Sequence, residues 1–148
     1  MNEKDVVKAI EEMLAIYPQL WSTHNIEGLL LCFDDDCIYE DRTLGVLKKG
    51  KKGVEEFARE VFAMQPDFHI DYHDFFATPT RGAAAWTIAT TWNGEFHGVD
   101  CTGKKVTFSG VTMFEFKGGK IIRNVDCWDI ASLLLQLEVL PQNLRKLK

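Results

Sequence analysis

The chain of 148 residues contains no stretch of ~18 apolar residues, the least that a membrane-crossing helix requires, and its N-terminus lacks the charged, apolar and small-residue order of a signal peptide. Both absences lead to the expectation of a cytoplasmic protein with no membrane partner. Four cysteines, Cys32, Cys37, Cys101 and Cys127, form no C-x-x-C pair, which suits reduced, buried thiols and not a disulfide frame or a zinc site. Positive charge is scarce: 17 Lys and Arg against 22 Asp and Glu leave a net charge of -5, so the concentrated basic field that binds nucleic acid is missing. The one basic run, Lys48, Lys49, Lys51 and Lys52, is broken by Gly50 and reads as a solvated turn before a helix. Ser22, Ser109 and Ser132 lack a G-x-S-x-G setting, and no glycine pattern precedes a helix, which excludes a hydrolase elbow and a phosphate cradle. No loop of alternating ligands with a closing glutamate follows Asp34, Asp35 and Asp36, so these end a helix in solvent instead of holding calcium. Internal repeats and linkers are also missing, and a single domain over residues 1–148 is expected.

What the chain has in quantity is apolar and aromatic side chains. Hydrophobic residues make up 46%, with ten Phe, four Trp and three Tyr, and rings of that size must pack on each other or line a cavity. Val6, Ile10, Met13, Tyr17, Leu20 and Trp21 recur at steps of three and four, predicting an amphipathic helix from Asn2 to His24 with a kink near Pro18. Asn25 reads as the N-cap of a short helix, Ile26 to Phe33. Cys37 to Asp41 alternates as a strand with Cys37, Tyr39 and Asp41 on one face, and Val54 to Met64 has helical spacing that Pro66 stops. From Phe68 the texture turns to β: Phe68 to Phe76, Ala83 to Trp92, Lys105 to Phe116 and Lys120 to Trp128, with turn signals at Asn93-Gly94, Thr102-Gly103 and Gly118-Gly119. Asp129 caps a final helix through Leu137. Helices first and most strands later give an α+β class, a curved antiparallel sheet wrapped around the helices.

Alternation on the last strand puts Asn124, Asp126 and Trp128 on one face. A pocket holding Tyr17, Asp41, Asn124 and Asp126 among Trp86, Trp92, Phe114 and Trp128 can shuttle a proton within a bound apolar molecule or position a water, because an apolar wall raises a carboxylate toward working pH. The structural alternative leaves Asp41 and Asp126 bonded to turn amides or paired with Arg42 or Arg123, and Tyr17 as a core ring with a satisfied hydroxyl. His69 and His73 stand four apart in a β segment, roughly 13 Å, too far to share an ion, so no metal is expected. His97 lies beside a hairpin turn, on the surface or at the mouth of the pocket, and His24 ends the first helix.

Several segments carry a resemblance. Trp92-Asn93-Gly94-Glu95-Phe96, Thr102-Gly103-Lys104, Phe108-Ser109-Gly110-Val111, Gly119-Lys120-Ile121 and Asp126-Cys127-Trp128-Asp129 followed by Leu-Leu-Leu-Gln-Leu (133 to 137) resemble SnoaL-like polyketide cyclases of the nuclear transport factor 2-like superfamily. The stretch from Tyr17 to Asp41, with Asn25-Ile26-Glu27, Phe33-Asp34-Asp35 and Glu40-Asp41 in step, resembles ketosteroid isomerases. The resemblance implies a cone-shaped roll, an oxyanion donor at Tyr17, a proton-moving carboxylate at Asp41, no cofactor, and a homodimer formed through the outer sheet face, where Thr87, Ala89 and Thr91 alternate. The acid that completes the isomerase oxyanion hole belongs near Thr112 or Val111, and neither is acidic. Tyr39 and Thr112 join the residues expected to touch substrate. Three functions follow from this set. The first is an isomerase, cyclase or hydratase using Asp41, Tyr17 and Asp126 on a small hydrophobic carbonyl or polyketide-like ligand. The second is a carrier using the same cone without chemistry, and the third is a structural partner domain with a plugged cone.

Overall fold

The computed structural model describes residues 2–141; Met1 and residues 142–148, the two ends of the expected single domain, lie outside the described residues. Helix α1 (Glu3–Ser22) begins where the Asn2 side chain accepts from Asp5 N at 2.9 Å, and it buries Ile10, Tyr17 and Trp21 of the stripe that the three-and-four spacing marks together with Leu14 beside it, while Val6, Met13 and Leu20 are partly buried. Pro18 lies inside the helix and does not end it. The chain turns at His24 with φ +56, a left-handed conformation that lets Asn25 N reach Leu20 O, and the His24 ring stacks on Phe62 at 3.9 Å. Asn25 then caps α2 (Ile26–Leu31) by accepting from Gly28 N at 2.8 Å.

Strand β1 (Phe33–Asp41) is longer than its alternation suggests, and Asp34 to Asp36 belong to it instead of ending the helix. Its pairing with β8 (Lys120–Trp128) shifts between Phe33 and Ile38, and the aspartates occupy that irregularity, where two of them stay exposed. The lysine-rich segment also departs from the expected turn. Val46–Lys49 forms β2, antiparallel to β1, and α3 (Gly50–Met64) starts directly after it, four residues earlier than Val54. Contacts across the fold supply what local pattern lacks here: Lys48 reaches Glu60 at 3.6 Å and Lys51 reaches Asp35 at 3.5 Å.

The remaining strands are β3 (His69–Ala77), β4 (Arg81–Thr91), the short pair β5 (Glu95–Phe96) and β6 (Val99–Asp100), and β7 (Lys105–Lys117). Gly118 and Gly119, both at positive φ, make the two-residue turn from β7 to β8. Asp129 caps α4 (Ile130–Gln136) by accepting from Ser132 N at 3.0 Å. The six-stranded sheet runs β2-β1-β8-β7-β4-β3, and one neighbouring pair departs from the all-antiparallel expectation: β1 and β8 are parallel. They come from opposite ends of the chain, and the long crossover that parallel neighbours need is everything between them. Inner-face residues of β4 and β7 alternate buried with outward ones, and the core forms between that face and the helices, with α1 on β3, α3 on β1 and α4 on β7. Among the described residues, no helix is long and apolar enough to cross a membrane.

Candidate active site

Between α1, α3 and the inner face of the sheet lies a cavity of about 210 Å³, larger than the ~150 Å³ apolar cavity known to accept benzene. Its walls are mostly rings and aliphatic chains, Trp21, Phe57, Tyr72, Trp86, Phe108 and Trp128 among them. Into this apolar space project two carboxylates, Asp41 and Asp126, from adjacent positions of the parallel pair β1–β8. Beyond Asp41 the pairing continues, with Arg42 N donating to Asp126 O at 2.9 Å and Trp128 N to Thr43 Oγ1 at 2.8 Å, so the two acids are held side by side by backbone.

Asp126 is the hub of a buried network. Its Oδ1 accepts from Thr112 Oγ1 at 2.6 Å and from Asn124 Nδ2 at 2.9 Å, and its Oδ2 accepts from the Tyr39 hydroxyl. Thr112 in turn accepts from Trp86 Nε1 at 2.8 Å, and Asn124 Oδ1 accepts from the Tyr17 hydroxyl at 3.0 Å. Burial pushes the Asp126 carboxyl up to about 6 against the opposing pull of the Thr112, Tyr39 and Asn124 donors, with the neighbouring charge of Asp41 adding to the rise. Burial likewise holds the Tyr17 and Tyr39 phenols well above their ordinary value, so both are neutral donors at any ordinary pH.

Asp41 is held differently. Trp128 Nε1 donates to both of its oxygens, at 3.2 Å to Oδ1 and 3.0 Å to Oδ2, and Leu44 N donates to Oδ1 at 2.9 Å. Of these bonds Oδ2 receives the shared indole N–H alone, and a carboxylate oxygen has room for a further donor. Burial raises the Asp41 carboxyl above its usual range, against the lowering effect of Trp128 and the turn amides of Leu44 and Thr43. Trp128 owes its place to Gly110, where a Cβ would stand 2.6 Å from Trp128 Cβ and 2.7 Å from Trp86 Cη2.

Of the residues singled out from sequence, Tyr17, Tyr39, Asp41, Trp86 and Trp92 line the cavity, as do Thr112, Asn124, Asp126 and Trp128. Phe114 is corrected: it is not a lining residue but packs behind the wall, 5.8 Å from the Tyr17 ring and stacked on Phe116. The arginine pairings of the structural alternative do not form, since Arg42 and Arg123 both turn to Glu40 on the opposite face of β1. The turn amide at Leu44 does bond Asp41, and the Tyr17 hydroxyl is satisfied internally, so those parts of the structural alternative coexist with the pocket. Sequence reasoning missed Tyr72 and Phe108, which period-two alternation on β3 and β7 could have found, and Trp21, Phe57 and Gln65, whose inward aim depends on how the helices dock. His69 bonds Asp71 and His73 bonds Thr87 on exposed strand surface, and His97 is exposed against Phe96. No group of three or more His, Cys, Asp or Glu side chains among the described residues is placed to hold a metal.

Solved structures share this arrangement of elements. A SnoaL-like polyketide cyclase from Agrobacterium tumefaciens superposes with a TM-score of 0.73 at 21% identity, covering 86% of this chain and 97% of that one. A protein with a ketosteroid isomerase-like fold from Catenulispora acidiphila, in complex with trimethylamine, gives 0.75 at 18% identity over 88% of this chain and 94% of that one. TsrD from Streptomyces laurentii gives 0.79 at 15% identity over 90% and 97%. At such identities the likeness establishes the fold. No curated protein matches the chain. The family model for SnoaL-like polyketide cyclases matches residues 11–137, from within α1 to the end of α4, and the chain belongs to that family.

Proposed function

We propose that this protein is a small-molecule enzyme of the isomerase, cyclase or hydratase type, moving a proton within a hydrophobic carbonyl or polyketide-like substrate by acid/base catalysis without a cofactor. The observation that carries this reading is a pair of carboxylates facing an apolar cavity, both with protonation pushed up by burial, in a member of a cyclase family. Asp41 Oδ2, with acceptor capacity to spare, takes the proton from carbon beside the substrate carbonyl and returns it at another position. Tyr39 and Tyr17 are the donors for the developing oxyanion, Tyr17 by turning its one hydrogen from Asn124 Oδ1 to the substrate. Tyr39 is released for that task when Asp126 is protonated, because the carboxylic acid then donates to the phenol oxygen and the phenol hydrogen turns to the substrate. Tyr39, Trp86, Trp92, Thr112, Asn124 and Trp128 frame the bound molecule.

A screen of apolar ketones for conversion, repeated with Asp41→Asn, tests the reading. Loss of at least about 100-fold in kcat is expected for removal of a general base, and unchanged turnover removes Asp41 from the mechanism. One observation favours a carrier instead: both Asp126 oxygens and the Tyr17 hydroxyl already have partners inside the protein. Tight binding of a ligand that no condition converts supports that second reading. The proposal extends to a homodimer through the outer sheet face, where Ala83 and Ala85 of β4 lie in register with the exposed Met113 and Val111 of β7.

A further inference from the structure

Two residues of the cavity wall each carry a buried polar atom that no group among the described residues satisfies. Among the described residues, Trp92 Nε1 and Gln65 Oε1 are buried without a hydrogen-bond partner, and both residues line the cavity. Buried polar atoms ordinarily find partners, because an unmade bond forfeits what water supplied in the unfolded chain. These two are complementary, one a donor only and the other an acceptor. The segments that carry them are neighbours. Asn93 N donates to Met64 O at 2.8 Å, its Nδ2 reaches Ala63 O at 3.2 Å, and the Asp67 carboxylate accepts from Thr91 N and Oγ1, so the chain around Gln65 is strapped to the end of β4. Gln65 is the C-cap residue of α3 with φ -135 and ψ 70; its N–H closes the last helical bond, to Val61 O at 2.8 Å, and its side chain belongs to the cavity wall. Phe96 packs edge-on against the Trp92 ring at 4.9 Å and fixes the indole plane.

Position and charge narrow what such a pair can recognise. Trp86 joins the Asp126 network through Thr112, and Trp92 stands six residues further along the chain, roughly 20 Å of extended strand, at the other end of the cavity. Among the described residues the lining includes the acids Asp41, Glu60 and Asp126 but no Lys, Arg or His, and Glu60 already has Lys48 as its partner at 3.6 Å. A carboxylate or phosphate entering this space loses its hydration and gains no counter-ion, whereas an uncharged group avoids that cost.

The geometry points to Trp92 and Gln65 as a clamp that recognises an uncharged hydroxyl, phenolic, enolic or alcoholic, on an otherwise apolar ligand. The hydroxyl oxygen accepts from the indole N–H and its hydrogen is donated to the Gln65 carbonyl, filling both orphaned positions at once. This deepens the proposed function, resting on the part of it in which the cavity receives a small molecule, and it applies to an enzyme and to a carrier alike. Calorimetric titration with 2-naphthol, 2-methoxynaphthalene and 2-naphthoate tests it. The methyl ether keeps the acceptor and loses the donor, and the acid adds a charge. Expected is binding of 2-naphthol about tenfold tighter than of either analogue, with the preference over the ether falling below about threefold in Gln65→Met, and with 2-naphthol and the ether weakened alike in Trp92→Phe, which removes the donor that both use. Because Trp92 also packs in the core, Gln65→Met decides if Trp92→Phe fails to fold. Equal affinities for the three probes, no binding of any, or a preference that survives Gln65→Met overturns the clamp. Since the readout is a ratio of dissociation constants, loss of turnover in Asp41→Asn, or its persistence, leaves the result untouched.

Discussion

Burial, more than any neighbouring charge, governs the protonation of Asp126, and the effect has a definite sign for stability. Folding raises the carboxyl from 3.8 to about 6, so the folded protein binds the proton more tightly than the unfolded chain does. The stabilising contribution is therefore complete below pH 3.8 and disappears as the pH rises through about 6. The difference between those two values corresponds to about 3 kcal/mol. Asp126→Asn removes the titration while its amide oxygen can still accept from Thr112 and Asn124. Urea unfolding of both proteins at pH 4 and pH 7 is expected to show the wild type gaining up to about 3 kcal/mol over the variant at the lower pH. A stability difference that does not vary with pH contradicts the assignment. At this scale the sequence was informative where period two applies: alternation alone put Asp41 beside Tyr39, and Asp126 beside Asn124 and Trp128. It could not reveal that Tyr39 donates to Asp126 or that Trp128 clamps Asp41, because those bonds join residues 87 positions apart and exist only once β1 and β8 pair.

Elements aim these side chains, and Gly110 shows how narrow the tolerance is. An added Cβ there meets Cys127 O at 2.6 Å besides the two indoles, and a backbone oxygen cannot step aside. Gly110→Ala is expected to destabilise the fold by about 1–3 kcal/mol, read from denaturant midpoints, and to displace Trp128 from Asp41, read from the indole Nε1 proton shift. An unperturbed indole resonance in a stably folded variant contradicts the role given to this glycine. The helices and long strands follow from caps and periodicity, as Asn25, Asp129 and the turn at Gly118-Gly119 illustrate. Strand β2 did not, since Val46–Lys49 has too few apolar residues to announce a strand and forms one by pairing with β1. The same holds for Asp34 to Asp36, whose charges suit a helix end but are tolerated in an irregular stretch of strand open to water.

For the whole molecule, the helices cover one face of the sheet and the cavity opens between the two layers, while the opposite face is left with small residues beside exposed Val111 and Met113. Sedimentation equilibrium is expected to show a dimer that Met113→Glu dissociates, and a wild-type monomer contradicts that use of the face. The α+β roll was legible from element order. The cavity's shape was not, because it depends on how Trp21, Phe57 and Phe68 from separate segments pack together. What the proposed chemistry requires above all is a carboxylate at position 41 that exchanges a proton with carbon inside that cavity. The direct measurement is deuterium incorporation from heavy water into a small bicyclic ketone such as 2-tetralone, followed by NMR. The expected result is exchange accelerated by the wild type and reduced at least about 100-fold by Asp41→Asn; equal exchange in both proteins, or none above the buffer rate, contradicts it.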